Sequence, residues 1–175
     1  MTQIAQSVTS LAELNELPQD QFVAALDGIF EHSPWVAERS WAKRPFNSVE
    51  ALHTAMFQTV QDASHQEKLD LICAHPELAG KEAEEGTLTK ESTGEQRGAG
   101  LDQCTPAELE RLRGLNAAYR ERFGFPFVIA VKGFTRHEIM DNVDARLNND
   151  KDTEFEACLV QIGKIARFRL DAQFA

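Results

Sequence analysis

Four short signals for the start of a helix recur along this chain and constrain its fold more than any other feature. Each is a Ser or Thr followed three positions later by Glu: Ser64–Glu67, Thr105–Glu108, Thr135–Glu138 and Thr153–Glu156. In this arrangement, the capping box, the hydroxyl and the carboxylate each accept a hydrogen bond from a backbone N–H that the helix leaves free. The sequence therefore predicts a largely helical chain.

Apolar residues at helical spacing complete this pattern. After the second box they fall at Leu109, Leu112, Tyr119 and Phe123, and Gly124 then stands where a glycine typically ends a helix. Similar stripes occur earlier, at Phe22, Ala25, Leu26, Ile29 and Phe30, and at Val49, Leu52, Met56, Phe57 and Val60. A chain of 175 residues is long enough for one hydrophobic core. We predict an all-α, single-domain helical bundle that spans residues 1–175.

One segment, residues 125–131, breaks the helical pattern. Its sequence, Phe-Pro-Phe-Val-Ile-Ala-Val, is short, apolar and partly β-branched, as in a strand. A lone strand cannot form a sheet, however, and Pro126 lacks the backbone donor that a central strand needs. We therefore predict an extended, buried segment between helices.

The charge of the chain limits what it can bind. Its formal net charge is −10 at pH 7, which argues against a nucleic-acid partner because phosphates are bound by a surplus of Lys and Arg. An anionic small-molecule substrate is repelled by this overall negative charge and needs local arginines to bind it. The candidates are Arg97, Arg146, Arg167 and Arg169. Each could equally lie on a solvated helix face, and their pattern does not choose among them.

We expect a cytoplasmic protein without a membrane-spanning segment. Its cysteines, Cys73, Cys104 and Cys158, are odd in number and show no metal-binding spacing, which is typical of reduced thiols. The amino terminus lacks the basic and apolar regions of a signal peptide. No apolar run approaches the roughly 20 residues of a membrane span.

The residues best suited to chemistry are His75 and Glu95. Pro76 disfavours helical geometry at His75, so we expect the imidazole at the rigid end of a helix, and a histidine near a carboxylate can move protons at neutral pH. The polar, glycine-rich residues 81–101 are predicted to form a loop beside this pair. Simpler roles stay open, because His75 could cap a helix and Ser92–Glu95 could be a further capping box.

The sequence contains no motif that predicts a bound metal or cofactor. The histidines lack the spacing of an H-E-x-x-H zinc site, and the chain has no phosphate-binding glycine loop and no Gly-x-Ser-x-Gly nucleophile elbow. The hypothesis that remains is an acid–base site that works without a cofactor.

Three ordered motifs resemble the OHCU decarboxylase family, whose members act on 2-oxo-4-hydroxy-4-carboxy-5-ureidoimidazoline in the pathway from urate to allantoin. The motifs are His75-Pro76-Glu77-Leu78-Ala79-Gly80, then Ser92-x-x-Glu95-Gln96-x-x-Ala99-Gly100-Leu101, then Leu115-Asn116-x-x-Tyr119-x-x-x-Phe123-Gly124-Phe125-Pro126-Phe127-Val128-Ile129. Arg146-Leu147-Asn148 and the segment from Gln161 to Leu170 fit as well, so the resemblance covers nearly the whole chain. Glu77 stands where the family often has Asp, a mild difference.

The resemblance implies an all-helical homodimer that uses neither a metal nor an organic cofactor. It implies that His75 is the catalytic, proton-transferring residue and that Glu95 is its partner. Arg169, with Arg146 in reserve, would hold the carboxylate of the substrate. The other pocket residues implied by the resemblance are Pro76, Ser92, Thr93, Gly94 and Gln96 and, in the extended segment, Phe127, Val128, Ile129, Ala130 and Val131.

The reaction implied by the resemblance is decarboxylation of this ureidoimidazoline to (S)-allantoin. Two other functions stay open on the residues alone. One is a cofactor-free hydrolase of a ureido compound, which would release ammonia or urea instead of carbon dioxide. The other is a non-catalytic helical interaction module, in which the glycine-rich stretch binds a partner and His75-Pro76 has no role.

Overall fold

A computed structural model describes residues 7–175, and these residues form helices joined by loops. The prediction of an all-α fold is confirmed, since residues 7–175 contain ten α-helices, two short 3-10 helices and no strand. No helix in this range is long and apolar enough to span a membrane. The α-helices are α1 (Leu11–Asn15), α2 (Gln19–Ala25), α3 (Trp35–Ser40), α4 (Val49–Gln61), α5 (His65–Ala74), α6 (Lys81–Glu85), α7 (Lys90–Gly98), α8 (Pro106–Phe123), α9 (Arg136–Arg146) and α10 (Lys151–Gln173); the 3-10 helices are Trp41–Lys43 and Leu101–Gln103.

The helix starts show which of the predicted signals the chain uses. At Ser64, Thr105 and Thr135 both hydrogen bonds of the capping box form, so these three boxes are confirmed. The fourth, at Thr153, is wrong. There α10 already begins at Lys151, because Asp150 is its N-cap and accepts a hydrogen bond from the Thr153 N–H at 2.8 Å. A carboxylate caps a helix at least as well as a threonine hydroxyl does.

Helix α10 runs through the core and packs against α4, α5 and α8. The contact with α4 is close at Gly163, where an added Cβ would lie 2.8 Å from the ring of Phe57. At the same point the His53 ring nitrogen Nε2 lies 2.7 Å from the Gly163 carbonyl oxygen. A residue with a Cβ at position 163 would therefore force the Phe57 ring to move.

The predicted extended segment, residues 125–131, is confirmed and is buried along its whole length. Side chains satisfy backbone groups that a sheet would otherwise pair. Arg146 donates from Nη1 to the Val128 carbonyl at 2.8 Å, and the Ala130 N–H donates to Gln161 Oε1 at 3.1 Å. Arg146 is itself fixed by a 2.7 Å ion pair with Glu154, which is fully buried.

Residues 81–101, predicted to be a loop, instead contain the two helices α6 and α7. Helix α7 begins at Lys90 because the Thr89 hydroxyl accepts a hydrogen bond from the Ser92 N–H at 3.2 Å. The residues that α7 buries are polar, Ser92 and Gln96. The apolar periodicity of the sequence could not reveal a helix that is held to the core by hydrogen bonds.

Replacing Gly163 by alanine should destabilise the protein. Overlap with the Phe57 ring costs about 1–3 kcal/mol, which exceeds the roughly 0.5–1 kcal/mol that alanine contributes to a helix relative to glycine. Urea unfolding followed by far-ultraviolet circular dichroism measures the free energy of unfolding.

Gly114 in α8 is the matched control, because an added Cβ there meets no atom within 4 Å. Gly114→Ala should raise the free energy of unfolding by about 0.5–1 kcal/mol. If the two variants were stabilised equally, α4 and α10 would not pack as closely as described.

Candidate active site

His75 lies at a rigid corner where α5 ends. The helix ends at Ala74, and His75 has φ −76° and ψ 133°, an extended conformation that the following Pro76 favours. The histidine is 6% exposed. Its position at a helix end is the one that the sequence indicated, but its burial could not be predicted from the motif.

Burial and one hydrogen bond set the state of the His75 ring. Nδ1 lies 2.9 Å from the Leu71 carbonyl oxygen. Because a carbonyl can only accept, Nδ1 carries the proton, and Nε2 of the neutral ring is an acceptor. Burial lowers the pKa of His75 from 6.5 to about 4, although the Leu71 carbonyl and the Glu31 carboxylate oppose this change. The ring is therefore neutral at pH 7.

His75 lines a small cavity of about 30 Å³, roughly the volume of one water molecule in the liquid. The cavity lies where the end of α5 meets α7, α10 and the extended segment. Leu78 and Ile165 form part of its wall. The structure places ten of the residues assigned to the site from the sequence around this cavity: His75, Pro76, Ser92, Glu95, Gln96, Phe127, Val128, Ile129, Val131 and Arg169.

Three other residues of the expected pocket do not line this small cavity. The Thr93 hydroxyl donates to the Thr89 carbonyl within α7, at 2.9 Å. Gly94 and Ala130 line an adjoining hollow of about 1150 Å³. This hollow shares Glu95 and Arg169 with the small cavity.

Glu95 is held by Arg169. The Nε and Nη2 atoms of Arg169 donate to the two carboxylate oxygens of Glu95 at 2.7 and 3.0 Å, a bidentate ion pair. From the sequence, Glu95 was expected to orient His75. The two side chains do line one cavity, but the bond that fixes the tautomer of His75 comes from the Leu71 carbonyl.

The possible capping box at Ser92–Glu95 is wrong, because Thr89 caps α7 and both residues lie inside the helix. Ser92 instead serves the ion pairs of the site. Its hydroxyl lies 3.4 Å from Arg169 Nη2 and 3.2 Å from Glu31 Oε1. The start of α7 thus brings a hydroxyl group to the buried charges.

Sequence reasoning missed Glu31, which lies between α2 and α3 and is 1% exposed. Its Oε2 accepts from Arg169 Nη1 at 2.7 Å, and its Oε1 accepts from the Thr89 hydroxyl at 2.8 Å. Burial raises the pKa of the Glu31 carboxyl, but the charge and hydrogen bond of Arg169 outweigh this effect and hold the pKa below its usual value. An isolated glutamate in a loop carries no signal that would have found it.

Two amide side chains fix the turn that follows His75. Gln96 Oε1 accepts from the Ala79 N–H at 2.9 Å, and Asn116 Nδ2 donates to the Leu78 carbonyl at 3.0 Å. Ala79 has φ +50°, a strained conformation for a residue with a Cβ. The Gln96 contact therefore helps to hold this turn against the cavity.

Arg146, the reserve candidate for binding a carboxylate, does not line the small cavity. Its guanidinium carbon lies 4.3 Å from the centre of the Phe127 ring, and its ion pair is with Glu154. Arg146 supports the extended segment.

The cavity thus combines a neutral proton acceptor, a guanidinium–carboxylate pair and an amide. This set can transfer a proton, and Arg169 could bind an anion in place of one of its carboxylate partners. Among residues 7–175, no three His, Cys, Asp or Glu side chains are grouped so that they could hold a metal ion.

Comparison with known proteins identifies the family. The sequence profile of the family described as OHCU decarboxylase matches residues 15–171. A 2-oxo-4-hydroxy-4-carboxy-5-ureidoimidazoline decarboxylase from Halalkalicoccus jeotgali is 41% identical over 162 residues, which are 93% of this chain and 90% of that protein. The uric acid degradation bifunctional protein PucL of Bacillus subtilis is 43% identical over 92% of this chain but only 32% of its own length.

A solved structure agrees with these sequence matches. The crystal structure of an (S)-allantoin synthase has a TM-score of 0.76 and 32% sequence identity to this chain. The match covers 96% of this chain and 54% of the synthase, so this chain spans about half of that protein. From the profile match and the relatives together, the chain belongs to the OHCU decarboxylase family.

Proposed function

We propose that this protein decarboxylates 2-oxo-4-hydroxy-4-carboxy-5-ureidoimidazoline to (S)-allantoin, a step in the breakdown of urate. The observation that carries the proposal is the small cavity that brings together a neutral, buried His75 and the Glu95–Arg169 ion pair. The names of the relatives support it, since they refer to this decarboxylase, to uric acid degradation and to (S)-allantoin synthesis.

The substrate supplies its own electron sink. Its carboxylate is attached to a ring carbon that carries a hydroxyl and adjoins a ring C=N bond. When the carbon–carboxylate bond breaks, carbon dioxide leaves and the electron pair moves into the C=N bond, whose nitrogen takes up a proton. The resulting enol loses its hydroxyl proton to become a ketone, and the neighbouring carbon gains a hydrogen. The chemistry therefore needs no organic cofactor to accept the electrons.

His75 moves the proton that sets the configuration of the product. Its Nε2, unprotonated in the neutral ring, accepts the hydroxyl proton and returns it to the ring carbon. Because Pro76 and the Leu71 carbonyl fix the imidazole, Nε2 meets only one face of the substrate, and a single enantiomer forms. Acid–base help of this kind contributes about 10²–10⁴-fold to a rate.

Arg169 binds the carboxylate of the substrate. Its planar guanidinium offers two parallel N–H donors that match a carboxylate, as its bidentate contact with Glu95 illustrates. Glu95 then lies beside the reacting ring, where it accepts a hydrogen bond from the substrate and assists the proton transfers of His75.

The two alternative functions are not favoured. A hydrolase of a ureido compound would have to hold an attacking water, whereas the relatives are decarboxylases by name. An interaction module would not require a neutral histidine and an ion pair buried in one cavity.

We further propose that the protein acts as a cytoplasmic homodimer on a small anionic substrate, without a nucleic-acid partner. The family resemblance supports the dimer, as do Val160 and Phe168 of α10, which are 46% and 37% exposed and offer apolar surface to a second subunit. The free thiols of Cys73, Cys104 and Cys158 support the cytoplasmic location.

His75→Ala should abolish the enzymatic formation of (S)-allantoin. The substrate is unstable, so it is generated in situ from urate, and optical rotation is followed with and without the protein. The native protein should give one enantiomer rapidly, and the variant should give no more than the slow, racemic background while its circular dichroism stays helical. A native protein without effect would refute the decarboxylase, and an active His75→Ala variant would remove His75 from the mechanism.

The stability of the protein should fall as the pH drops from 6.5 towards 4, partly because of His75. In this window the unfolded chain protonates His75, with a pKa near 6.5, whereas the folded chain, with a pKa of about 4, does not. The unfolded state thus binds more protons, and stability is lost on acidification by up to about 1.4 kcal/mol per pH unit.

His75→Gln should remove this contribution and leave the titration of the carboxylates unchanged. Urea unfolding of both proteins at pH 7 and pH 5 measures the difference. Equal losses of stability in the two proteins would show that the His75 pKa is not depressed in the folded state.

Arg169→Lys should lower kcat/KM by about tenfold to a hundredfold, because lysine keeps the charge but loses the bidentate hydrogen bonds. Arg146→Lys is the matched variant, since Arg146 also pairs with a buried glutamate. It should mainly lower the free energy of unfolding, by about 1–3 kcal/mol through its lost hydrogen bonds. A larger loss of kcat/KM in Arg146→Lys would mean that Arg146 holds the substrate.

A further inference from the structure

Arg169 carries a single positive charge but contacts two carboxylates, those of Glu31 and Glu95. An arriving substrate carboxylate therefore meets a cluster that is already negative and a guanidinium whose donors are already used. An anion can bind Arg169 only if one of the two glutamates leaves it.

The surroundings of the two glutamates decide which one leaves. The Glu31 side chain is 1% exposed and is also hydrogen-bonded to the hydroxyls of Thr89 and Ser92. Moving Glu31 away from Arg169 would leave a buried charge without a partner. The Glu95 side chain is 31% exposed and borders the hollow of about 1150 Å³. Glu95 can reach water with little cost, so it is the exchangeable partner.

The two edges of the guanidinium are used differently. Nη1 donates to Glu31 at 2.7 Å and to the Gly28 carbonyl at 2.7 Å. Nε and Nη2 form the other edge, and both donate to Glu95. If Glu95 moves away, this edge presents two parallel donors to another carboxylate while Nη1 stays fixed.

The size of the cavity also requires a movement. At about 30 Å³ it is far too small for a ring that carries a ureido group and a carboxylate. Because Glu95 and Arg169 line both the small cavity and the larger hollow, a displaced Glu95 side chain would join the two spaces.

We propose that Glu31 is a positioning residue that holds Arg169 in place while the substrate carboxylate replaces Glu95 on the guanidinium. The inference rests on the proposed decarboxylase function. Glu31 does not touch the substrate in this arrangement. It acts through Arg169, and the displaced Glu95 becomes free to contact the reacting ring.

Glu31→Gln tests the positioning role, with the substrate generated in situ from urate. KM should rise by about tenfold or more, the scale of one lost charge-assisted hydrogen bond, while kcat changes less. The inhibition constant of (S)-allantoin, which has no carboxylate, should change by less than about threefold. Glu154→Gln is the control, because Glu154 is equally buried and pairs with Arg146 outside the small cavity; it should lower stability without this rise in KM.

A double-mutant cycle shows whether Glu31 acts through Arg169. In an Arg169→Lys background, Glu31→Gln should have little further effect on KM. If the two effects multiply instead, Glu31 acts independently of Arg169 and the proposal is overturned. Equal changes in KM and in the allantoin inhibition constant would also overturn it, because they would indicate a general distortion of the cavity.

Glu95→Gln tests whether the substrate carboxylate replaces Glu95 on Arg169. This test does not depend on the folding of the Glu31 variants. Weakening the resting ion pair frees Arg169, so KM should fall by about tenfold while kcat also falls. A raised KM would overturn the exchange, because weakening the carboxylate that competes for Arg169 would then have weakened substrate binding instead of strengthening it. If the native protein forms (S)-allantoin but these variants behave otherwise, only the positioning role fails; if the native protein is inactive, the proposed function itself fails.

Discussion

The buried charge of Arg169 organises the structure around the site. Its guanidinium contacts the Gly28 carbonyl, Glu31, Ser92 and Glu95, which lie on segments distant from α10 in the sequence. A buried charge that loses its partner destabilises a protein by about 3–5 kcal/mol. The requirement to keep Arg169 paired therefore fixes the loop after α2 and the polar helix α7 against α10, so the contacts that fold this region are also the contacts that form the candidate site.

Features that depend on local signals could be predicted from the sequence. The boxes at Ser64, Thr105 and Thr135 could be predicted because each contains both of its hydrogen-bonding partners within one helical turn. The same spacing at Thr153 misled, because Asp150 caps that helix three residues earlier. The extended segment was predictable because its composition is that of a strand and the sequence offers no second strand with which it could form a sheet. The corner at His75 followed from one neighbour, Pro76, whose ring restricts the residue before it.

Features that depend on distant pairing could not be predicted. Glu95 and Arg169 are 74 positions apart, and Glu31 and Arg169 are 138 apart. No local pattern links them, and Glu95 was assigned to His75 because the two are near each other in the chain. For the same reason the sequence could not decide whether Arg146 or Arg169 belongs to the site. Each forms a buried pair with glutamate, but Arg146 supports the extended segment, and of the two only Arg169 lines the small cavity.

The low pKa of His75 has a consequence for how the protein would work in a cell. The ring is half-protonated only near pH 4, well below the range over which an ordinary histidine titrates. Modest acidification therefore does not convert its Nε2 from an acceptor into a donor. In the proposed reaction, where one hydrogen decides the handedness of the product, burial of the imidazole would keep this proton acceptor available when the surrounding solution becomes slightly acidic.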